Sequence, residues 1–178
     1  MKAGATDVNP RNLDGDQGLR LRTPNDDNDG GLANVEAGWL PVFGNHLDGA
    51  YRVGMWRNSM NQPDLLLDTQ WQPMPLAGGD PLTRTRSDGW YAMAQQAVWA
   101  NDGGRLLTLF ANFSRSDADV DRVDQVASIG LWLRGPFAGR PGDRVGFAIG
   151  QNRVSARARE SERLSNIATG ANGVLPRK

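Results

Sequence analysis

With 178 residues the chain is long enough for one domain with a sizeable core, yet short for a large barrel whose strands must close a circle. Lys plus Arg (20) balance Asp plus Glu (20) to a formal net charge of zero, with 39% hydrophobic and 22% charged residues, so no basic surface for nucleic acid is encoded. The absence of cysteine and the single histidine, His46, exclude disulfide frameworks, thiolate metal sites, cysteine nucleophiles and a His-based triad with a spare base.

No run reaches the roughly 18 to 20 apolar residues of a membrane-spanning helix, and Met1 to Pro10 lack the basic and apolar regions of a signal peptide. The long segment Asn9 to Gly31 contains Asn25-Asp26-Asp27-Asn28-Asp29-Gly30, followed by Glu36, which has the oxygen spacing of a calcium loop. Its first ligand would be Asn25 rather than Asp, and Pro24 with the upstream glycines argues against an entering helix. It reads as a solvated acidic loop, with a weak surface Ca²⁺ site as the alternative, and neither a metal nor another cofactor is expected.

From there the apolar residues alternate at the period of a strand with two different faces. Ala33, Val35, Ala37 and Trp39 oppose Asn34, Glu36 and Gly38; Tyr51, Val53 and Met55 oppose Arg52, Gly54 and Trp56, with a turn expected at Asp48 and Gly49. Gly89 to Trp99 reads as a strand of mixed faces, and a tight turn at Asn101 to Arg105 leads to Leu107, Leu109, Ala111 and Phe113. Ala127, Ile129, Leu131 and Leu133 oppose Ser128, Gly130, Trp132 and Arg134. After Gly135 to Gly142, Val145, Phe147 and Ile149 oppose Arg144, Gly146, Ala148 and Gly150.

Links alternate in length: Asn9 to Gly31 and Asn58 to Asp88 are long, Arg115 to Asp124 is intermediate, and most others are short, as in an up-and-down barrel with one rim of tight turns and one of elaborate loops. A soluble β-sandwich gives the same alternation. The second face, built of Gly, Ala, Asn, Ser, Arg and Trp, suits a lumen better than a sandwich exterior, which favours Thr, Lys and Glu. No repeat or linker divides the chain, so residues 1–178 form a single unit, with strands over about 1–152 and a charged loop or tail over 153–178.

Several stretches resemble successive strands of the carbohydrate-selective porin (OprB) family: Lys2-Ala3-Gly4 with Val8-Asn9-Pro10, Glu36-Ala37-Gly38-Trp39, and Gly49-Ala50-Tyr51-Arg52-Val53-Gly54-Met55-Trp56. So do Gly89-Trp90-Tyr91 leading to Gln95-Gln96, Leu107-Thr108-Leu109-Phe110-Ala111, and Gly130-Leu131 through Gly139-Arg140-Pro141-Gly142-Asp143 to Gly146. The resemblance runs to about Asn152. It implies an all-β, antiparallel up-and-down meander, part of a transmembrane β-barrel, with about seven or eight of roughly sixteen strands present. The chain is then expected to be an internal segment of a longer outer-membrane protein, without its signal peptide or the terminal aromatic strand.

The implied function is passive diffusion of small sugars through a water-filled pore, with no reaction, outer-membrane lipid as surroundings and room for a homo-oligomer of the full-length parent. The rival is a soluble β-sandwich carbohydrate-binding module. Alternation puts Glu36, Arg52, Trp56, Trp132, Arg134 and Arg144 on the polar face, where aromatic rings stack on sugar C–H surfaces and charged groups bond hydroxyls. The competing expectation is that the arginines merely pair with acids such as Glu36. Trp39, Tyr51 and Phe113 fall near strand ends on the apolar face, where a membrane barrel carries aromatic girdles and a sandwich its core.

Overall fold

The computed structural model describes residues 2–7, 30–44 and 47–170. Its strands are β1 (Lys2–Asp7), β2 (Gly31–Trp39), β3 (Val42–Phe43), β4 (Leu47–Asn58), β5 (Gln62–Asp68), β6 (Pro81–Arg84), β7 (Ser87–Ala100), β8 (Leu106–Arg115), β9 (Val123–Arg134) and β10 (Arg144–Val154). Two helices, α1 (Met74–Ala77) and α2 (Ala156–Ala168), complete the described elements. The main sheet is an antiparallel meander ordered β1-β2-β4-β7-β8-β9-β10, with β3 beside β4. It does not close, since β1 and β10 each have one strand neighbour among the described residues.

Because directly paired residues share a face, register sorts the side chains without ambiguity. Val145 pairs with Leu133, Phe147 with Leu131 and Ile149 with Ile129, so the apolar set forms one surface. That surface has no second layer against it: Ile129, Phe147 and Ile149 are 61%, 69% and 64% exposed, and the buried apolar residues are Ala97, Ala158 and Leu164 among the described residues. A sandwich would bury these side chains between two sheets, so the sandwich alternative fails. Trp39 stacks on Tyr51 (centroids 5.5 Å) and meets Phe43 edge-on (5.9 Å), while Trp90 lies against Phe113 (5.0 Å), all on this apolar side.

The short links lie at one end. Asn101 N–H donates to the Arg105 carbonyl (3.1 Å) while the Asn101 side chain accepts from Arg105 N–H (2.9 Å), and Gly104 takes the left-handed φ of 77° that such a turn needs. The link after Arg134 is clamped by Gly135 N–H donating to Asp143 O (2.8 Å). The turn expected at Asp48 and Gly49 falls elsewhere, since both residues belong to β4. The chain instead reverses around Gly44 (φ 48°), and Gly49 N–H donates to Pro41 O (2.7 Å). Gly49 leaves room inside the strand for the Gln96 side-chain oxygen, which accepts from Tyr51 Oη (2.9 Å).

At the opposite end the 59–86 connection folds into a small module with α2. β5 and β6 form a separate two-stranded sheet, and α2 packs on β5 and α1. Asp64, 1% exposed, accepts from Leu66 and Leu67 N–H (both 2.9 Å) within β5, which gives its carboxylate local backbone partners. The charge run after Arg153 becomes a helix because buried Ser155 caps it, accepting from Ala158 N–H (3.1 Å), while Ser155 N–H donates to Arg122 O (2.8 Å) in the β8–β9 link.

Candidate functional site

Register places Glu36, Arg52, Trp56, Trp132, Arg134 and Arg144 on the face opposite the apolar surface, in two separate groups. The first spans β2, β4 and β7. Glu36 pairs with Gly54, which pairs with Tyr91, and Tyr91 Oη reaches over Gly54 to donate to Glu36 Oε2 at 2.7 Å. The reach exists because position 54 has no side chain: a Cβ there would collide with the Tyr91 ring. Two residues along, the relation reverses, and the Trp56 ring covers Gly89. Two aromatic–glycine contacts therefore interlock β4 and β7 while laying both rings flat on the sheet, and Phe110 covers Gly130 in the same way.

Arg52 stands exposed beside this pair, over a depression of about 180 Å³ lined by Ala50, Met93, Gln95, Phe110 and Asn112. The Asn112 amide donates to Ser128 Oγ (3.2 Å), which orients it. The second group sits on β9 and β10. The Arg144 guanidinium lies 5.0 Å from the Trp132 ring centre, and Arg144 is directly opposite Arg134. Like charges facing each other are unfavourable in a sheet, so stacking on Trp132 offsets part of that repulsion.

The groups do not meet. Val126, in the same cross-strand row as Tyr91 and Ser114, lies eight residues from Arg134, a distance of about 27 Å along the strand. Nor do the arginines pair with Glu36: among the described residues no carboxylate lies within 4 Å of Arg52, Arg134 or Arg144. The acidic stretch Asn25 to Asp29 lies outside the described residues, and among those described no group of three potential metal ligands occurs. No described helix is long and apolar enough to cross a membrane, which says nothing of strands.

A sheet with one exposed apolar face and one face of small, polar and aromatic residues matches a known family over its full length. Residues 1–178 match the carbohydrate-selective porin, OprB family. The chain belongs to this family. It is 33% identical over 173 residues to Porin B of Pseudomonas aeruginosa, covering 96% of this chain and 38% of that protein. It is 26% identical over 174 residues to a putative porin, QuiX, of Acinetobacter baylyi, covering 94% and 36%. The high-pH structure of Pseudomonas putida OprB superposes with a TM-score of 0.81 at 32% identity, over 96% of this chain and 40% of that one. This OprB-family chain thus spans well under half the length of the proteins it matches.

Sequence reasoning did not select Tyr91, Gln95 or Asn112 as site residues of this OprB-family sheet, although alternation puts Asn112 opposite Ala111 and Phe113. Each sits at an alternation position that could have flagged it. What alternation cannot supply is the register across β4 that brings Tyr91 onto Glu36.

Proposed function

We propose that this chain forms part of the wall of an outer-membrane β-barrel through which small sugars diffuse, and that Glu36, Arg52, Trp56, Trp132, Arg134 and Arg144 line the pore. The observation that carries the reading is the two-faced single sheet in a member of the carbohydrate-selective porin family: apolar side chains exposed on one surface, and on the other a carboxylate, free guanidiniums and flat aromatic rings. Rings give sugars a surface for their C–H faces, guanidinium and carboxylate groups exchange hydrogen bonds with hydroxyls, and passage needs no chemical step. Lipid surrounds the apolar face.

The test is conductance and sugar block of the full-length barrel reconstituted in bilayers. Arg52→Ala and Arg134→Ala are expected to change sugar block or ion selectivity, and Ile129→Val to leave both unchanged. Equal behaviour of all three variants removes these arginines from the pore.

A further inference from the structure

The apolar face carries a groove that the pore does not use. Ala37, Val53, Ala92, Ala94, Ala111 and Phe113 line a depression of about 560 Å³ at mid-sheet, shallow because four of its residues are alanine. It continues along the same strands into a second depression of about 730 Å³, where Val35, Met55 and Trp90 follow Ala37, Val53 and Ala92. The second ends at the long-link rim with Arg57 and Arg115. Trp90 packed on Phe113 forms a wall along both.

Charge is distributed unequally along this face. At the short-link rim the strand arginines, Arg134 and Arg144, belong to the opposite face by register. At the long-link rim Arg57 and Arg115 are on the apolar face, with Arg86 close by. Arg57 bonds Asp88 at 2.6 Å, and Arg86 approaches the same carboxylate at 3.8 Å. Arg115 has no carboxylate within 4 Å among the described residues, and Asp124 is held on both oxygens by Arg153 (3.0 and 2.8 Å). Arg57 and Arg86 thus share Asp88, and Arg153 holds Asp124, on which Arg115 also acts, so four guanidiniums face two carboxylates at this rim. Arg115 and Arg57 sit about 12 Å apart, two strand spacings across and two residues along.

We infer that this groove holds one lipid, with an acyl chain along Ala92, Ala111 and Val53 and a phosphate monoester at Arg115 and Arg57. The charge balance selects that headgroup. A phosphate monoester carries close to two negative charges at neutral pH and can take hydrogen bonds from two guanidiniums at once, whereas a phosphodiester carries one charge. The excess guanidinium charge at the rim of these lipid-facing strands is thereby matched to an anion. The inference rests on the proposed outward orientation of the apolar face.

Native mass spectrometry of the full-length barrel in detergent tests it, using an acylated diglucosamine bearing phosphate monoesters, its dephosphorylated form, and phosphatidylglycerol. The phosphomonoester lipid is expected to remain bound, with retention falling about tenfold in Arg115→Gln and about tenfold in the dephosphorylated lipid. Ala92→Trp, which fills the groove and leaves the arginines, is expected to reduce retention as well. Equal retention by Arg115→Gln, or of either comparison lipid, overturns the site. Sugar block measured on Arg115→Gln separates the two proposals: retention lost with block unchanged supports a lipid site apart from the pore, and unaltered retention with altered block overturns it.

Discussion

At the residue scale the most informative position is one without a side chain. Gly54 lets the Tyr91 ring lie across β4 so that its hydroxyl holds Glu36 at 2.7 Å, fixing a carboxylate that would otherwise sample several rotamers on an open surface. Two substitutions separate the ring's packing from its hydrogen bond. Tyr91→Phe keeps the ring over Gly54 and frees Glu36; it is expected to alter ion selectivity or sugar block in the full-length barrel while leaving the yield of folded protein unchanged. Gly54→Val drives a side chain into the ring and is expected to lower folded yield, read by the heat-dependent gel shift of the barrel. If Tyr91→Phe leaves both transport readouts at wild-type values, Glu36 does not need its partner. Glu36 and Arg52 were legible from alternation alone because side-chain direction follows parity along a strand. Their partners were not, because a cross-strand contact two strands away depends on register.

At the element scale the same division separates strands from links. Period-two patterning marked β2, β4, β8, β9 and β10, while β7 read only as a strand of mixed faces; patterning could not mark the irregularity between Ala97 and Trp99, where the register shift pairs Trp99 with Leu107 and so turns the indole to the apolar face. The Asn58 to Asp88 connection was legible only as long. Its fold depends on charges far apart in sequence: Arg84 and Arg157 both reach Asp64 (2.7 and 3.1 Å) and Asp119 (3.0 and 2.6 Å), tying β5, β6, the β8–β9 link and α2 together. Burial pushes the Asp64 carboxyl up, but N–H donors from Leu67 and Leu66 and the Arg84 and Arg157 guanidiniums outweigh it and hold it below the usual carboxylate range. A depressed folded-state value means this network adds stability above the unfolded value of about 3.9 and loses it as pH falls through the lower folded value. The 59–86 connection is therefore expected to resist protease from neutral pH to about 5 and to become cleavable only below about 4. Asp64→Ala, which leaves two guanidiniums sharing Asp119, should loosen it at neutral pH by about 3 kcal/mol, seen as cleavage within this segment while the strands stay protected. Resistance unchanged in that variant would show that packing of α2, and not the ion network, holds the module.

At the scale of the whole molecule the sheet has the faces of a membrane wall and the edges of an incomplete one. Every residue of β10 is exposed; among the described residues its only strand neighbour is β9, and its other edge presents N–H and C=O groups unpaired by any of them beside an apolar surface. The 178-residue chain by itself is accordingly expected to aggregate in water and to disperse only in detergent or urea, and a monodisperse monomer in plain buffer would contradict this. Edges alone do not decide which face meets lipid, but two adjacent residues of β9 do. Ile129 lies mid-strand on the apolar face, in one row with Ala111 and Ile149, and Ser128 lies beside it on the other face, bonded to Asn112. If the apolar face is the lipid face, Ile129→Arg places a charge near the bilayer midplane and lowers the stability of the full-length barrel by about 2 to 4 kcal/mol, while Ser128→Arg, facing water, costs less than about 1 kcal/mol. Denaturant unfolding of the two variants in lipid vesicles gives the ranking directly. The reverse order would assign the polar face to lipid, and equal costs would mean that β9 does not cross the membrane, removing the pore and the lipid groove together.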